Sequence, residues 1–308
     1  MAKVLFMTSV YDESDKGNLY VDLVDEFLAN GHQVDVVTPV ERRHVKRFDI
    51  HRYENLQVIR FPCLNFRGKV NLFEKGIATL SLGYQYRHAL TRYLKNRDYD
   101  AAIYATLPIT YAPAIRELKK RSGTFCYLLQ KDFFPQSAVD LGVLRKGSLV
   151  YRLFRRIEKG LYRESDAIGV MSARNAEYIL REEPGLAAEV VEVCPNSIKP
   201  TDMAIVETVK AGRDDVRARY GIPPDAVVYM YGGNISRAQG IDFIIAIVES
   251  FKQCPDSYLL FVGGGNEAVR LKAAVSEAGN PNVGFLDHMG KVEFDVLLAA
   301  CDLSLIHI

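Results

Sequence analysis

Residues 231–240 have the composition of a phosphate-binding loop. Gly233, Asn234, Arg237 and Gln239 stand there between a predicted strand and a predicted helix. Glycine allows backbone N–H groups to approach an anion, and the N-terminus of a helix adds the positive end of its dipole. Arg237 could neutralise a diphosphate with its planar pair of donors. The loop therefore predicts a diphosphate site.

A second loop of this type occupies residues 262–266, where Gly263 and Gly264 follow another predicted strand. A glycine after a strand can equally well form a simple tight turn, so neither loop decides the question alone. Two such loops in one domain favour a nucleoside diphosphate, because ligand loops of parallel sheets gather at the carboxyl ends of the strands.

Motifs of other phosphate-binding and catalytic proteins are absent. The first predicted strand-to-helix loop, residues 9–17, lacks the Gly-x-Gly-x-x-Gly of dinucleotide-binding folds and carries three acids that would repel a pyrophosphate. The Walker A, His-Glu-x-x-His and Gly-x-Ser-x-Gly motifs are missing as well. The sequence therefore favours neither a hydrolase nor a metal site.

The composition is that of a protein with a hydrophobic core and about two domains. The 308 residues are 48% apolar and 25% charged, which disfavours disorder. Five separated cysteines form no Cys-x-x-Cys pair, so neither a zinc site nor a disulfide framework is expected. The N-terminal apolar run lacks a cleavage site, and no stretch approaches the ~18 apolar residues of a membrane span. We expect a cytoplasmic protein.

The charge is unevenly distributed along the chain. Residues 1–200 carry a net charge of +6 and residues 201–308 one of −5, within an overall net charge of +1. This asymmetry indicates two bodies with different partners. Nucleic acid is not expected as a partner, because the positive charge is modest and no nucleic-acid motif accompanies it.

Short apolar runs alternate with amphipathic segments throughout the chain, which predicts two doubly wound parallel-sheet α/β domains facing a cleft. The predicted strands are 4–9, 34–38, 101–105, 124–130, 167–172, 190–193, 227–231, 258–262 and 283–286. The predicted helices are 20–30, 109–120, 241–253, 268–278 and 292–300. A turn cluster at 195–200 divides the chain into a first domain, 1–200, a linker, 201–212, and a second domain, 213–308. Pro39 is expected to close the second strand.

Five short motifs occur in a recognisable order. They are Gly-His-Gln-Val at 31–34, Asp-Phe-Phe-Pro-Gln-Ser-Ala at 132–138, the Glu158–Ile168 segment with its Tyr and Ser-Asp, Pro-Asn-Ser-Ile at 195–198, and Gly-Asn-Ile-Ser-Arg-Ala-Gln-Gly at 233–240. Together they resemble glycosyltransferase family 4, the retaining GT-B enzymes. The similarity is greatest to members that act in bacterial capsule, O-antigen and exopolysaccharide assembly.

The chain departs from the family pattern at several places. Asn234 and Gln239 stand near the positions at which most of the family has an Arg and a Lys in the phosphate loop. Arg237 is therefore the only cation of this loop. Gly17 and Asn18 stand where the family has Gly-Gly in the acceptor-side loop.

The resemblance implies transfer of a sugar from a UDP- or GDP-type donor to an acceptor hydroxyl, with retained anomeric configuration and without a cofactor or metal. The acceptor would be a sugar or a lipid-linked saccharide. Arg237 and the N-terminus of helix 241–253 would stabilise charge on the leaving diphosphate, which would itself act as the base. A sugar-nucleotide epimerase of GT-B fold and an inactive nucleotide-sugar-binding subunit remain alternatives.

Four further residues receive roles from this resemblance. Asp132 would orient an acceptor or donor hydroxyl, with capping of the following turn as its alternative. Lys131, where many members have His, would support the diphosphate or be solvated. Asp287 and His288 would lie beside the base.

Residues 145–163 combine seven cations and one acid with an apolar stripe. A basic amphipathic helix of this kind can lie on an anionic leaflet, which would make the protein peripheral to the membrane. The alternative is an ordinary surface helix whose stripe packs on the core.

The last residues, 301–308, are predicted to form a strand. The family's Glu-bearing donor segment lies beyond this point, so we expect an incomplete second domain without transferase activity. Residues 303–308 also match the translation of a common transposon-based sequencing adapter, from which we expect the natural gene to diverge at or just after Asp302. The alternative is a native strand that has the same six residues.

Overall fold

The computed structural model describes residues 1–14, 18–44, 47–66, 70–200 and 203–305. The chain divides into two compact units, unit 1 (Met1–Lys199) and unit 2 (Pro200–Ile308). Each unit is built on its own mainly or wholly parallel sheet.

The described part of unit 1 forms an eight-stranded sheet in the order β3-β4-β2-β1-β5-β6-β7-β8. Every neighbouring pair is parallel except β3 and β4. The strands are β1 (Lys3–Met7), β2 (Gln33–Glu41), β3 (Asp49–Arg52), β4 (Leu56–Cys63), β5 (Ala101–Ala105), β6 (Phe125–Gln130), β7 (Ala167–Val170) and β8 (Val191–Val193).

Helices cover both faces of this sheet. They are α1 (Leu19–Ala29), α2 (Leu72–Tyr93), α3 (Ala112–Ser122), α4 (Gln136–Asp140), α5 (Leu149–Glu164) and α6 (Ala173–Glu182), with a 3₁₀ turn at Ala188–Val190. Val21 and Val24 of α1 pack on one face. Tyr86 of α2 and Ile115 of α3 belong to the larger core on the other face. Burial of both faces explains why the central strands are nearly continuous apolar runs.

The described part of unit 2 forms a four-stranded parallel sheet in the order β11-β10-β9-β12. Its elements are α7 (Met203–Ala211), α8 (Arg213–Arg219), β9 (Val227–Asn234), α9 (Ile241–Ser250), β10 (Ser257–Gly264), α10 (Ala268–Ala278), β11 (Val283–Leu286), α11 (Lys291–Ala299) and β12 (Leu303–Ser304), with 3₁₀ turns at Arg237–Gln239 and Phe251–Gln253. One core lies on each face of the sheet. The predicted α/β class with parallel sheets is therefore confirmed.

Three local predictions differ from the structure. Strand β2 continues through Pro39, which pairs with Phe61 of β4, whereas the pairing of β2 with β1 ends at Val37. Proline is tolerated there because β2 no longer has a neighbour on that side. The predicted linker 201–212 contains helix α7, and Val209 of that helix packs on the unit 2 core.

The third difference concerns the predicted terminal strand 301–308. Only Leu303–Ser304 forms strand β12, and residues 306–308 lie outside the described part. Asp302 precedes this strand and joins two elements, since its carboxylate accepts hydrogen bonds from Arg217 (2.7 Å) and from the backbone N–H of Val228 (2.7 Å). Arg217 of α8 is buried, so the pair ties that helix to the start of β9.

Candidate functional site

The two glycine loops of unit 2 lie side by side at one edge of the sheet. The parallel pairing of β9 with β10 continues into the loops, with Gly233 opposite Gly263 and Asn234 opposite Gly264. A Cβ built on Gly263, whose φ is +148°, would lie 2.0 Å from the carbonyl oxygen of Gly233. Only glycine permits this approach, because any side chain would collide with the backbone.

The contact extends one step further along both loops. Ile235 donates its backbone N–H to Gly264 (2.8 Å) and accepts from Glu267 (3.1 Å). A Cβ on Gly265 would lie 2.1 Å from the oxygen of Ile235. The two loops are therefore held together by backbone contacts, and both present glycine-rich backbone at the same end of the sheet.

Helix α9 begins directly after the first loop. Gly240 precedes it in a left-handed conformation (φ +68°), and no side chain caps its N-terminus. The first backbone N–H groups of an uncapped helix are suitable donors to an anion. Gln239 is exposed just before this N-terminus, in the 3₁₀ turn that it shares with Arg237.

Arg237 is exposed, and its guanidinium has no hydrogen-bond or ion-pair partner among the described residues. Asp242, in the first turn of α9, carries a charge that would oppose an anion there, but it is paired with Arg270 of α10 at 2.5 Å. A free guanidinium thus stands beside a helix N-terminus whose first-turn acid, Asp242, is ion-paired, although Arg270 also lies 3.6 Å from Glu267.

Asp287 and His288, both predicted to lie beside the nucleotide base, have different surroundings in the structure. His288 lies beside the second loop, since a Cβ on Gly264 would be 3.7 Å from the Cβ of His288. Asp287 is exposed, and its carboxylate accepts from Nζ of Lys272 on α10 at 2.7 Å. The structure thus gathers Gly233, Gly263, Gly264 and His288, whereas the side chain of Asp287 is directed to α10.

In unit 1, Lys131 and Asp132 follow β6 at the carboxyl edge of the sheet. The buried hydroxyl of Thr106, at the end of β5, accepts from the backbone N–H groups of Lys131 (2.9 Å) and Asp132 (3.2 Å). The amide of buried Gln130 donates to the carbonyl of Asp132 at 2.9 Å. Three hydrogen bonds therefore fix the backbone of this turn.

The carboxylate of Asp132 accepts no hydrogen bond from the described residues, and α4 begins at Gln136, after Pro135, without a side-chain cap. The capping alternative is therefore wrong. Loss of water raises the pKa of Asp132 above its usual range, and Lys131 partly offsets this effect. A free carboxylate on a fixed backbone remains at this edge of the sheet.

Lys131 lies against an aromatic ring. Its Nζ is 4.3 Å from the ring centroid of Tyr20 in α1, within the range of a cation–π contact. Burial lowers the pKa of Lys131 to about 8, although Cys194 and Asp132 oppose the shift. Burial, together with the charge of Asp132, raises the pKa of Tyr20 to about 12. Lys131 is thus partly desolvated, unlike the solvated residue considered from the sequence.

The acceptor-side loop is only partly described. Gly17 lies outside the described residues. Asn18 caps helix α1, because its side chain accepts from the backbone N–H of Tyr20 at 3.0 Å. Its predicted role toward a ligand stays a prediction.

Sequence reasoning missed Thr106 and Tyr20. Thr106 is 25 residues from Lys131 along the chain, and only the pairing of β5 with β6 makes them neighbours. No local motif marks either residue.

The basic segment forms helix α5, which Ser148 caps by accepting from Tyr151 at 3.2 Å. The apolar side chains of the predicted stripe differ in their exposure. Leu149 (84% exposed), Val150 (51%) and Leu153 (48%) face solvent, whereas Phe154 and Leu161 are buried in the core. The N-terminal half of α5 therefore presents apolar side chains among cations.

Two features are missing from the part of the chain that the structure describes. Among these residues, no helix has the length and apolar character that crossing a membrane requires. No group of three or more His, Cys, Asp or Glu side chains in the same ranges is arranged to hold a metal ion.

Comparison with known proteins bears on the family resemblance. Residues 20–197 match the glycosyl transferase 4-like domain. The chain is 25% identical over 256 residues to the probable glycosyltransferase WbjE of Pseudomonas aeruginosa, a match covering 81% of this chain and 60% of that protein. It is 26% identical over 198 residues to the putative colanic acid biosynthesis glycosyl transferase WcaI of Escherichia coli K12, with 63% and 47% covered. The matches thus span about half to three fifths of these relatives' own lengths.

The fold has counterparts among solved structures. The structure of trehalose-6-phosphate from E. coli bound with UDP-2-fluoro glucose superimposes with a TM-score of 0.70 at 11% identity, covering 98% of this chain and 77% of that one. This similarity confirms the predicted GT-B fold class. Because the family match extends over more than half of the sequence, the chain belongs to the glycosyl transferase 4-like family.

Proposed function

We propose that the protein transfers a sugar from a UDP- or GDP-type donor to an acceptor hydroxyl, with retention of configuration, in the synthesis of a cell-surface polysaccharide. The observation that carries this proposal is the free Arg237 beside the uncapped N-terminus of α9, next to two glycine loops in backbone contact. This arrangement suits a diphosphate, because it combines a bidentate cation with backbone donors.

The relatives support the same chemistry. WcaI is named for colanic acid biosynthesis, and the similar solved structure is bound with UDP-2-fluoro glucose. The sugar-bearing diphosphate of this protein would lie against Gly233 and Gly263, with the base near His288. Arg237 and the α9 N-terminus would stabilise the charge that develops on the leaving diphosphate, without a metal ion.

Unit 1 would contribute the polar groups for a sugar or lipid-linked saccharide. The free carboxylate of Asp132 is held on a fixed turn, so it can orient a hydroxyl without a further loss of backbone entropy. Lys131 is the nearest cation and would favour an anionic group there. In a retaining transfer the leaving diphosphate would accept the proton of the attacking hydroxyl.

The exposed half of α5 would rest on an anionic membrane surface. Leu149, Val150 and Leu153 would enter the interface, while the cations of the helix meet lipid phosphates. This location would bring a lipid-linked acceptor within reach.

A donor-binding panel tests the proposal. Thermal shifts of the chain with UDP-, GDP- and TDP-sugars should show a concentration-dependent rise in Tm for at least one nucleotide class, because a ligand that binds only the folded state stabilises it. Incubating that donor with lipid-linked saccharide acceptors and a version of the protein that carries the family's Glu-bearing donor segment then tests transfer. Stabilisation by none of the nucleotides would contradict the proposed donor site.

A further inference from the structure

An apolar groove runs between helices α2, α3 and α5 of unit 1. Its volume is about 470 Å³, within the range of small-molecule sites, and it is open to solvent. Most of its lining is apolar, namely Leu80, Tyr84, Ala112, Pro113, Leu153 and Ile157. The groove is separate from the turn at Lys131 and Asp132, neither of which lines it.

Gly160 lines the groove from within α5. Glycine destabilises the interior of a helix relative to alanine, so its presence calls for a reason. A Cβ on Gly160 would meet no atom within 4 Å. Gly83 of α2 differs, since a Cβ there would lie 1.8 Å from the oxygen of Thr110. Close packing thus explains Gly83, whereas Gly160 leaves space in the groove.

The rim of the groove is positively charged. Arg156 lines it, is exposed, and has no acidic partner among the described residues. Arg152 and Arg163 on the same helix are also exposed and lack such partners within the described part of the chain. Arg116, the other cation of the lining, is paired with Glu164 at 2.8 Å.

Exposed apolar side chains adjoin these cations. Tyr84 of α2 is 68% exposed, and Leu153 of α5 lines the same groove. A tyrosine at such a position is typical of a membrane interface, where its ring and hydroxyl meet different environments. The combination is complementary to an amphiphile with a hydrocarbon tail and an anionic head.

We propose that this groove takes one hydrocarbon chain of an anionic membrane phospholipid, with the phosphate held by Arg156. The inference rests on the membrane contact of the proposed function and deepens it. Helix α5 would not only lie on the leaflet but also draw a single chain into the protein over Gly160.

The chain contains no tryptophan, so Tyr84→Trp creates a single fluorescent reporter at the groove. Vesicles of phosphatidylglycerol with bromine deep in the acyl chains should quench the fluorescence of this introduced indole. Brominated phosphatidylcholine should quench it far less. Gly160→Leu, combined with the reporter, should remove the quenching by filling the groove, whereas Gly160→Ala should retain it.

Gly76→Leu is the matched control, because a Cβ there also meets no atom within 4 Å and Gly76 does not line the groove. Circular dichroism and Tm verify that each variant folds. Quenching that survives in Gly160→Leu, or is equal for the neutral lipid, overturns the groove proposal, while vesicle sedimentation reports the membrane contact separately. If the Tyr84→Trp protein does not bind vesicles, dihexanoyl-phosphatidylglycerol below its micelle concentration tests the groove directly. An unchanged emission spectrum of the introduced tryptophan would then overturn the proposal.

Discussion

Gly263 lies so close to Gly233 that a Cβ on Gly263 would come within 2.0 Å of the Gly233 carbonyl oxygen. The two residues face each other where strands β9 and β10 become loops. The proposed diphosphate site depends on this approach, because it brings both stretches of glycine backbone to one place.

Gly263→Ala should therefore lower the free energy of unfolding by at least about 3 kcal/mol, since it adds a backbone collision to an unfavourable φ. Gly279→Ala is the control. That residue also has a positive φ (+57°), but a Cβ there meets no atom within 4 Å. Its destabilisation should stay near 1–2 kcal/mol, roughly the value for left-handed backbone alone. Equal destabilisation of the two variants, measured by urea unfolding, would contradict the close approach.

Arg237→Ala should weaken UDP or GDP binding by about 1.5–3 kcal/mol, the usual contribution of a charge-assisted contact. Lys252→Ala is a suitable control, because Lys252 is an exposed cation at the other end of α9. Titration calorimetry gives both dissociation constants. If the two variants bind alike, Arg237 does not hold the diphosphate.

In a version of the protein that carries the family's Glu-bearing donor segment, Thr106→Val should lower turnover by about tenfold to a hundredfold. The reason is that the turn that carries Asp132 loses the acceptor of two backbone N–H groups. Thr106→Ser keeps the hydroxyl and should restore most of the rate.

Asp132→Asn should abolish turnover, and nucleotide affinity should stay near normal in this variant and in both Thr106 variants. If Thr106→Ser lowers folding stability as much as Thr106→Val does, the threonine methyl has a purely structural role.

The sequence predicted those parts of the fold and site that local pattern controls. Buried parallel strands are continuous apolar runs, and glycine loops are recognisable by composition. Thr106 could not be predicted, because the order of β5 and β6 alone places it beside Lys131. The continuation of β2 through Pro39 could not be predicted either, because it depends on where β1, a strand distant in the sequence, stops pairing with β2.

Lys131 should titrate near pH 8 in the folded protein, because burial lowers its pKa to about 8. In the unfolded chain the pKa is near 10.4, so the unfolded state binds more protons between these values. The contribution of Lys131 to stability should therefore rise as pH increases from about 8 to about 10. NMR titration of lysine side chains should show one signal with this midpoint, absent in Lys131→Met. A signal of Lys131 that titrates with the other lysines would show that the residue is solvated.

Binding of the protein to phosphatidylglycerol vesicles should weaken as salt rises from about 0.1 M to about 1 M, because the Debye length falls from about 10 Å to about 3 Å. Arg152→Glu should weaken binding further, by about 2 kcal/mol, since each cation near an anionic surface contributes about 1 kcal/mol and the substitution reverses one charge. Arg174→Glu makes the same charge change on α6, where Arg174 is 89% exposed and paired with Glu177. Vesicle sedimentation measures both variants, and an equal effect of the two would mean that net charge, not the surface of α5, drives the protein to the membrane.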